Sequence, residues 1–134
     1  MSYLLVVDDD EDLSAAASKA LKKAGYEVSV EANVDGVLAS MRKRCPDLLI
    51  LDVMFPQNPM AGFELARTIR KEEGKLKALP ILLLSDINNQ SWPKFASKDI
   101  DDTWMPVTDF LEKPVTFGAL CEKVAAMLEK STAR

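Results

Sequence analysis

Histidine is absent from this chain of 134 residues. Its absence excludes Ser-His-Asp and Cys-His catalysis, histidine-based zinc sites and the histidine donors of a phosphorelay. Cysteine is scarce, and Cys45 and Cys121 lack the CxxC spacing of a redox or metal site, so we expect two reduced, packed thiols. The chain also lacks a membrane-length apolar run and a signal peptide. We therefore expect a cytoplasmic protein without a membrane partner.

An excess of basic residues is missing as well. The chain has 17 Lys and Arg residues and 21 Asp and Glu residues, which gives a net charge of −4. Sequence-independent binding of nucleic acid needs a basic surface that neutralises phosphates. The small basic clusters, Lys22-Lys23 and Arg42-Lys43-Arg44, fall at the ends of predicted helices, where cations complement the helix dipole. We therefore expect no nucleic acid partner.

What the chain does contain is an alternation of apolar strand-like runs with helix-length amphipathic segments. This alternation predicts an α/β domain with a parallel sheet covered on both faces. The length fits one domain over residues 1–134, with a core from about 3 to 128 and no output domain. The predicted strands are 3–7, 27–31, 48–51, 81–84 and 107–112.

Helical spacing of apolar residues predicts four clear helices. The first follows the acids near residue 9, with Asp9 or Asp10 as a candidate cap, and stops at Gly25. The second is marked by Val34, Val37, Leu38 and Met41 and ends before Pro46, with Asn33 as its predicted N-cap. The others run from about 62 to 73 and from about 116 to 129. Residues 86–106 have no sustained apolar stripe and predict a short or irregular helix, and residues 53–61 predict a long loop.

Polar residues follow four of the five predicted strands. Asp8 and Asp9 follow the first, Asp52 the third, Ser85 the fourth and Lys113 the fifth. In open α/β sheets, ligands bind in the crevice beyond the carboxyl ends of the strands. Each residue taken alone has a simpler interpretation as a helix cap, a turn or a solvated side chain. Their joint occurrence in this order indicates a functional site.

This order of residues resembles the receiver domain of bacterial two-component response regulators, and the resemblance extends from Tyr3 to about Leu128. It implies a flavodoxin-like, doubly wound, five-stranded parallel sheet of (βα)5 architecture. It also implies a stand-alone response regulator, similar to the chemotaxis regulators, that is not a turnover enzyme. Its implied partners are a histidine kinase or histidine phosphotransfer protein, which supplies the phosphoryl group, and a downstream protein whose binding depends on phosphorylation.

The resemblance also implies a role for each site residue. Asp52 is the implied phosphoacceptor, and Mg²⁺ (or Mn²⁺) is the implied cofactor. Its implied direct ligands are Asp9, Asp52 and the backbone carbonyl of Met54, and Asp8 is implied to act largely through water. Such a set of oxygens suits this kind of cation.

Two further side chains are implied to contact the phosphoryl group, namely Lys113 through its charge and Ser85 through its hydroxyl. Ser85 and Phe110 form the implied switch pair.

The sequence departs from the family at Asp86, where receivers usually have a small residue, and in the long segments 53–61 and 86–106. These departures leave open a phosphorylation-independent, receiver-like interaction module. A second alternative is a magnesium-dependent phosphatase of the haloacid dehalogenase type. That family requires Asp-x-Asp, whereas Asp52 is followed by Val53-Met54.

Overall fold

The computed structural model describes residues 2–52, 61–72, 74, 76–86, 109–113 and 116–132. Its strands and helices alternate along the chain, and the five strands form one parallel sheet in the order β2-β1-β3-β4-β5. In chain order the elements are β1 (Tyr3–Val7), α1 (Glu11–Lys23), β2 (Glu27–Glu31), α2 (Val37–Lys43), β3 (Leu48–Asp52), α3 (Ala61–Lys71), β4 (Ile81–Asp86), β5 (Asp109–Lys113) and α4 (Phe117–Thr132).

This strand order is the flavodoxin-like, doubly wound one, so the predicted fold class is confirmed. The helix expected between β4 and β5 lies outside the described residues, and so does the loop after β3 up to residue 60. Among the described helices, none combines the length and apolar character that a membrane crossing requires.

The central strands read as unbroken apolar runs because helices cover both faces of the sheet. Along β1, Leu4 and Val6 belong to one buried cluster, and Leu5 and Val7 belong to the other. The first of these clusters also contains side chains of α1 and α4, and the second contains side chains of α2 and α3. Alternate residues of a strand point to opposite faces, so each face of the sheet receives its own apolar layer.

The second helix begins later than the sequence predicts. Asn33 is not its N-cap: the cap is Gly36, in a left-handed conformation with φ 76, and the helix starts at Val37. The Asn33 side-chain oxygen instead accepts a hydrogen bond from the Asp35 N–H at 3.0 Å. Asparagine forms such local turns as readily as it caps helices, and here the turn carries the chain three residues further before the helix begins.

Three strands end later than their apolar runs. Asp52 is the last residue of β3, and β4 and β5 end at Asp86 and Lys113. Ladder pairing explains these extensions, because Asp52 pairs with Leu84 and Asp86 pairs with Lys113. The sheet therefore fixes the backbone position of several predicted site residues.

Candidate functional site

Three carboxylates meet at the carboxyl edge of the sheet. Oxygens of Asp8, Asp9 and Asp52 all lie within 4.8 Å of one another. Their juxtaposition follows from the strand order, because β1 and β3 are neighbours and Val7 pairs with Leu51. Asp8 and Asp52 are 1% and 5% exposed, whereas Asp9 is exposed to solvent. The sheet thus brings together acids that lie more than forty residues apart in sequence, as the sequence predicts.

Backbone groups hold Asp8 in place. Its N–H donates to the Glu31 carbonyl at the end of β2 at 3.0 Å, and its Oδ1 accepts from the Asp10 N–H at 2.9 Å. Asp10 in turn caps α1, because its Oδ1 accepts the Leu13 N–H at 3.0 Å. Of the two candidate caps, the structure assigns the role to Asp10. One short segment therefore orients a buried acid and starts a helix.

The donor set fits a hard divalent cation. Oxygens on opposite sides of an octahedral Mg²⁺ are roughly 4.2 Å apart, since each Mg–O bond is about 2.1 Å. The oxygens of the three acids lie within 4.8 Å of one another, close to this spacing. Carboxylates held so close repel one another, and a bound cation reverses that repulsion. Asp8, Asp9 and Asp52 therefore form a suitable site for Mg²⁺ or Mn²⁺.

The remaining predicted site residues differ in how much the structure describes of them. Ser85 and Lys113 lie at the carboxyl ends of β4 and β5, the same edge of the sheet as the three acids, and their backbone is described. Phe110 lies in β5, where its backbone pairs with Leu83. Met54 lies outside the described residues.

The chain matches the family profile of the response regulator receiver domain over residues 4–125. It belongs to that family. Receiver domains of two-component systems are phosphorylated by histidine kinases or phosphotransfer proteins, and phosphoaspartate and Mg²⁺ are typical of them. Receiver domains generally bind Mg²⁺ through acidic residues, and the structure brings three acidic residues together in one cluster.

Relatives of this receiver domain are found in several types of signalling protein. It is 32% identical over 133 residues to the transcriptional regulatory protein AfsQ1 of Streptomyces coelicolor, covering 97% of this chain and 52% of AfsQ1. It is 35% identical over 125 residues to the CAI-1 autoinducer sensor kinase/phosphatase CqsS of Vibrio cholerae, covering 92% of this chain and 17% of CqsS. The chain thus spans about half the length of AfsQ1 and a smaller part of CqsS.

Solved structures agree with the fold over almost the whole length of both chains. A putative response regulator from Chloroflexus aurantiacus superposes with a TM-score of 0.78 at 31% identity, covering 96% of this chain and 98% of that one. The chemotaxis protein CheY4 of Vibrio cholerae superposes with a TM-score of 0.77 at 28% identity, covering 95% and 98%. Receivers of this length thus occur as separate chains in solved structures.

Proposed function

We propose that this receiver domain accepts a phosphoryl group on Asp52, in the presence of Mg²⁺ or Mn²⁺, from a histidine kinase or histidine phosphotransfer protein. The phosphorylated form then binds a downstream protein differently from the unphosphorylated form. The observation that carries the proposal is the cluster of Asp8, Asp9 and Asp52, whose oxygens lie within 4.8 Å of one another at the carboxyl edge of the sheet.

Within the cluster, Asp52 is the favoured phosphoacceptor because of the position of its strand in the sheet. Asp52 ends β3, which lies between β1 on one side and β4 on the other. A phosphoryl group there would have Asp8 and Asp9 on one flank, and the strand ends that carry Ser85 and Lys113 on the other.

The proposed transfer is a displacement at phosphorus. A carboxylate oxygen of Asp52 attacks, the bond from phosphorus to the donor nitrogen or oxygen breaks, and an acyl phosphate forms. When bound by Asp8, Asp9, Asp52 and the Met54 carbonyl, Mg²⁺ supplies positive charge that neutralises the phosphoryl oxygens. Lys113 adds a compact cation, and the Ser85 hydroxyl donates a hydrogen bond.

The signal would leave the site through Ser85 and Phe110, the proposed switch pair. Phosphorylation adds negative charge that attracts the Ser85 hydroxyl and the Lys113 ammonium, and this bias favours one of two surface arrangements. Hydrolysis of the acyl phosphate would end the signal. Such a domain catalyses only its own phosphorylation and dephosphorylation.

We further propose that residues 1–134 act as a stand-alone cytoplasmic regulator with a single domain and a protein target. The net charge of −4 favours a protein over nucleic acid as that target. The match to CheY4 over 98% of that chain supports a regulator of this size. Immunoblotting of source-cell lysate tests the size, because a larger band would indicate an attached domain.

Intact-mass spectrometry tests the phosphorylation. We expect the protein to gain one phosphoryl group after treatment with phosphoramidate or acetyl phosphate and Mg²⁺. Asp52→Asn should gain none, the protein in EDTA should gain little, and the exposed matched control Asp12→Asn should react like the wild type. If neither the small donors nor a phosphorylated histidine phosphotransfer protein modifies the wild type, the proposal is wrong.

Asp86 favours one second candidate, a receiver-like module that binds its partner without phosphorylation. Its backbone pairs in register with Lys113, so an acidic residue neighbours the lysine proposed to contact the phosphoryl group. In that case Asp52→Asn would bind the partner as tightly as the wild type, with or without a phosphodonor. Loss of the donor's effect on partner binding in Asp52→Asn would instead support the phosphorylation mechanism.

A further inference from the structure

A groove of about 600 Å³ runs between α1 and the edge strand β2. None of the three acids of the metal cluster lines it. Its α1 wall consists of Glu11, Ser14, Ala15, Ser18, Lys19 and Lys22. This surface is separate from the proposed phosphorylation site and needs its own explanation.

One lining residue is poorly covered within one copy of the chain. Val30 of β2 remains 40% exposed, one of the two large apolar side chains so exposed among the described residues. An occupant of the groove would cover this side chain and remove its apolar surface from water.

The α1 wall has an acidic residue at one end and a basic residue at the other, so a two-fold rotation places opposite charges against each other in two copies. The wall positions fall in pairs around one midpoint of the helix, namely 11 with 22, 14 with 19 and 15 with 18. If α1 of a second copy lies antiparallel across the groove, Glu11 faces Lys22 of that copy, and Lys22 faces its Glu11. The Glu11–Lys22 contact therefore occurs twice, once on each side of the two-fold axis, as in any isologous interface.

The side chains between these charges suit a close approach of two helices. Glu11 and Lys22 are about 16 Å apart along α1, at 1.5 Å per residue. Ser14, Ala15 and Ser18 lie between them and are small. Ser14 and Ser18 are largely buried within the chain, so Ala15 and Lys19 supply most of the exposed surface between the two charges.

We propose that this groove is a self-association surface, in which α1 of a second copy packs antiparallel against α1 and covers Val30. A uniformly acidic or basic peptide fits less well, because the two ends of the groove carry opposite charges. Strand pairing between two copies of β2 is also disfavoured, because antiparallel pairing centred on Ser29 sets Glu27 opposite Glu31. Contact along one helix predicts a weak dimer, with a dissociation constant on the order of 0.1 mM.

Charge reversal gives a sharp test by sedimentation equilibrium at low ionic strength. Glu11→Lys sets two lysines against each other in the homodimer, and Lys22→Glu sets two glutamates against each other. We expect each variant to raise the dissociation constant about tenfold or more. The double variant Glu11→Lys/Lys22→Glu restores opposite charges and should dimerise like the wild type. An equimolar mixture of the two single variants should associate more tightly than either variant does alone.

Matched controls separate the interface from helix stability. Asp12→Lys and Lys23→Glu make the same charge changes in the first and last turns of α1, at positions outside the groove lining. They should leave the dissociation constant within about twofold of the wild type. A wild type that stays monomeric up to about 1 mM would overturn the proposal and leave the groove to a different occupant. So would a double variant with a wild-type circular dichroism spectrum that fails to recover association.

Discussion

Asp86 is the residue whose chemistry least fits a phosphoryl acceptor. It ends β4, and its backbone pairs in register with that of Lys113. A carboxylate near the site repels an incoming phosphoryl group and competes with it for the lysine charge. We therefore predict that Asp86→Ala speeds phosphorylation by small donors about two- to tenfold, through the loss of one repulsive charge.

The measurement is the initial rate of phosphoryl gain by intact mass, at fixed Mg²⁺ and donor concentrations. Glu122→Ala, which removes an exposed acid from α4, is the charge-matched control and should react at the wild-type rate. An Asp86→Ala rate equal to that of the wild type would show that this acid does not slow the transfer.

At the residue scale, the sequence predicts chemical identities better than local geometry. Asp8, Asp9 and Asp52 are predicted to lie together because each follows an apolar run, and the structure confirms the cluster. The prediction fails at Asn33, because an asparagine before a helix signals a turn or a cap equally well. Only the conformation of Gly36, with φ 76, decides between them.

Among the elements, α1 depends on a cap that also borders the site. The Asp10 side chain accepts the Leu13 N–H at 3.0 Å, which satisfies one of the free donors of the first turn. We predict that Asp10→Ala lowers the free energy of unfolding by about 1 kcal/mol. Urea denaturation monitored by circular dichroism measures the loss.

Asp12→Ala is the matched control for the cap. Asp12 lies in the same helical turn and is also acidic, but it is not the capping residue. Asp12→Ala should therefore lower the free energy of unfolding less than Asp10→Ala does, because it removes only a favourable interaction with the helix dipole. Equal losses in the two variants would argue that first-turn charge, rather than the cap hydrogen bond, stabilises this helix end.

A surface ion pair joins the end of α2 to the residue after α3. Arg42 Nε donates to Glu72 Oε1 at 2.7 Å. This hydrogen bond, together with the charge of Arg42, lowers the pKa of Glu72 from its ordinary value of 4.5. A carboxyl with a lowered folded-state pKa stabilises the fold above its unfolded-state pKa, and that contribution disappears as the pH falls through the folded-state value.

We therefore predict a small acid-dependent difference between the wild type and Glu72→Gln. The wild type should be the more stable at pH 7, and the two melting temperatures should converge as the pH falls below about 4. Thermal melts between pH 7 and pH 3 measure the difference, with Glu122→Gln as a control at an exposed acid of α4. A constant difference across this range would show that the pair acts through packing rather than charge.

The elements themselves are largely readable from the sequence, whereas their ends are not. The predicted strand 27–31 matches β2, but β4 extends two residues beyond its apolar run to Asp86. Pairing with β5 extends the carboxyl end of β4, because Ser85 pairs with Glu112 and Asp86 pairs with Lys113. Such pairing depends on a distant segment, so local composition does not reveal it.

For the whole molecule, apolar runs predict a buried parallel sheet but not the order of its strands. The resemblance to receiver domains implies a flavodoxin-like, doubly wound sheet, and the observed order β2-β1-β3-β4-β5 is of that type. The order matters because it makes β1 and β3 neighbours and so assembles acids from positions 8 and 52. In the unfolded chain these acids are far apart, so the cation site exists only in the folded state.

This dependence couples magnesium to the stability of the entire fold. A cation that binds only the folded chain stabilises it by about 2.7 kcal/mol at a concentration one hundred times its dissociation constant. We therefore predict that Mg²⁺ raises the melting temperature by several degrees. Asp8→Asn keeps the side-chain shape and an oxygen for the Asp10 N–H, but it removes one of three clustered charges.

Without metal, Asp8→Asn should therefore be more stable than the wild type, by on the order of 1–3 kcal/mol of relieved repulsion. In Mg²⁺ the ranking should reverse or narrow, because the variant binds the cation more weakly. Melting temperatures in EDTA and in a Mg²⁺ series measure both effects, and Asp35→Asn, an exposed acid outside the cluster, should follow the wild type. If Asp8→Asn is no more stable in EDTA and keeps the full response to Mg²⁺, the repulsion between these acids does not drive cation binding, and the assignment of Asp8 to the metal site is wrong.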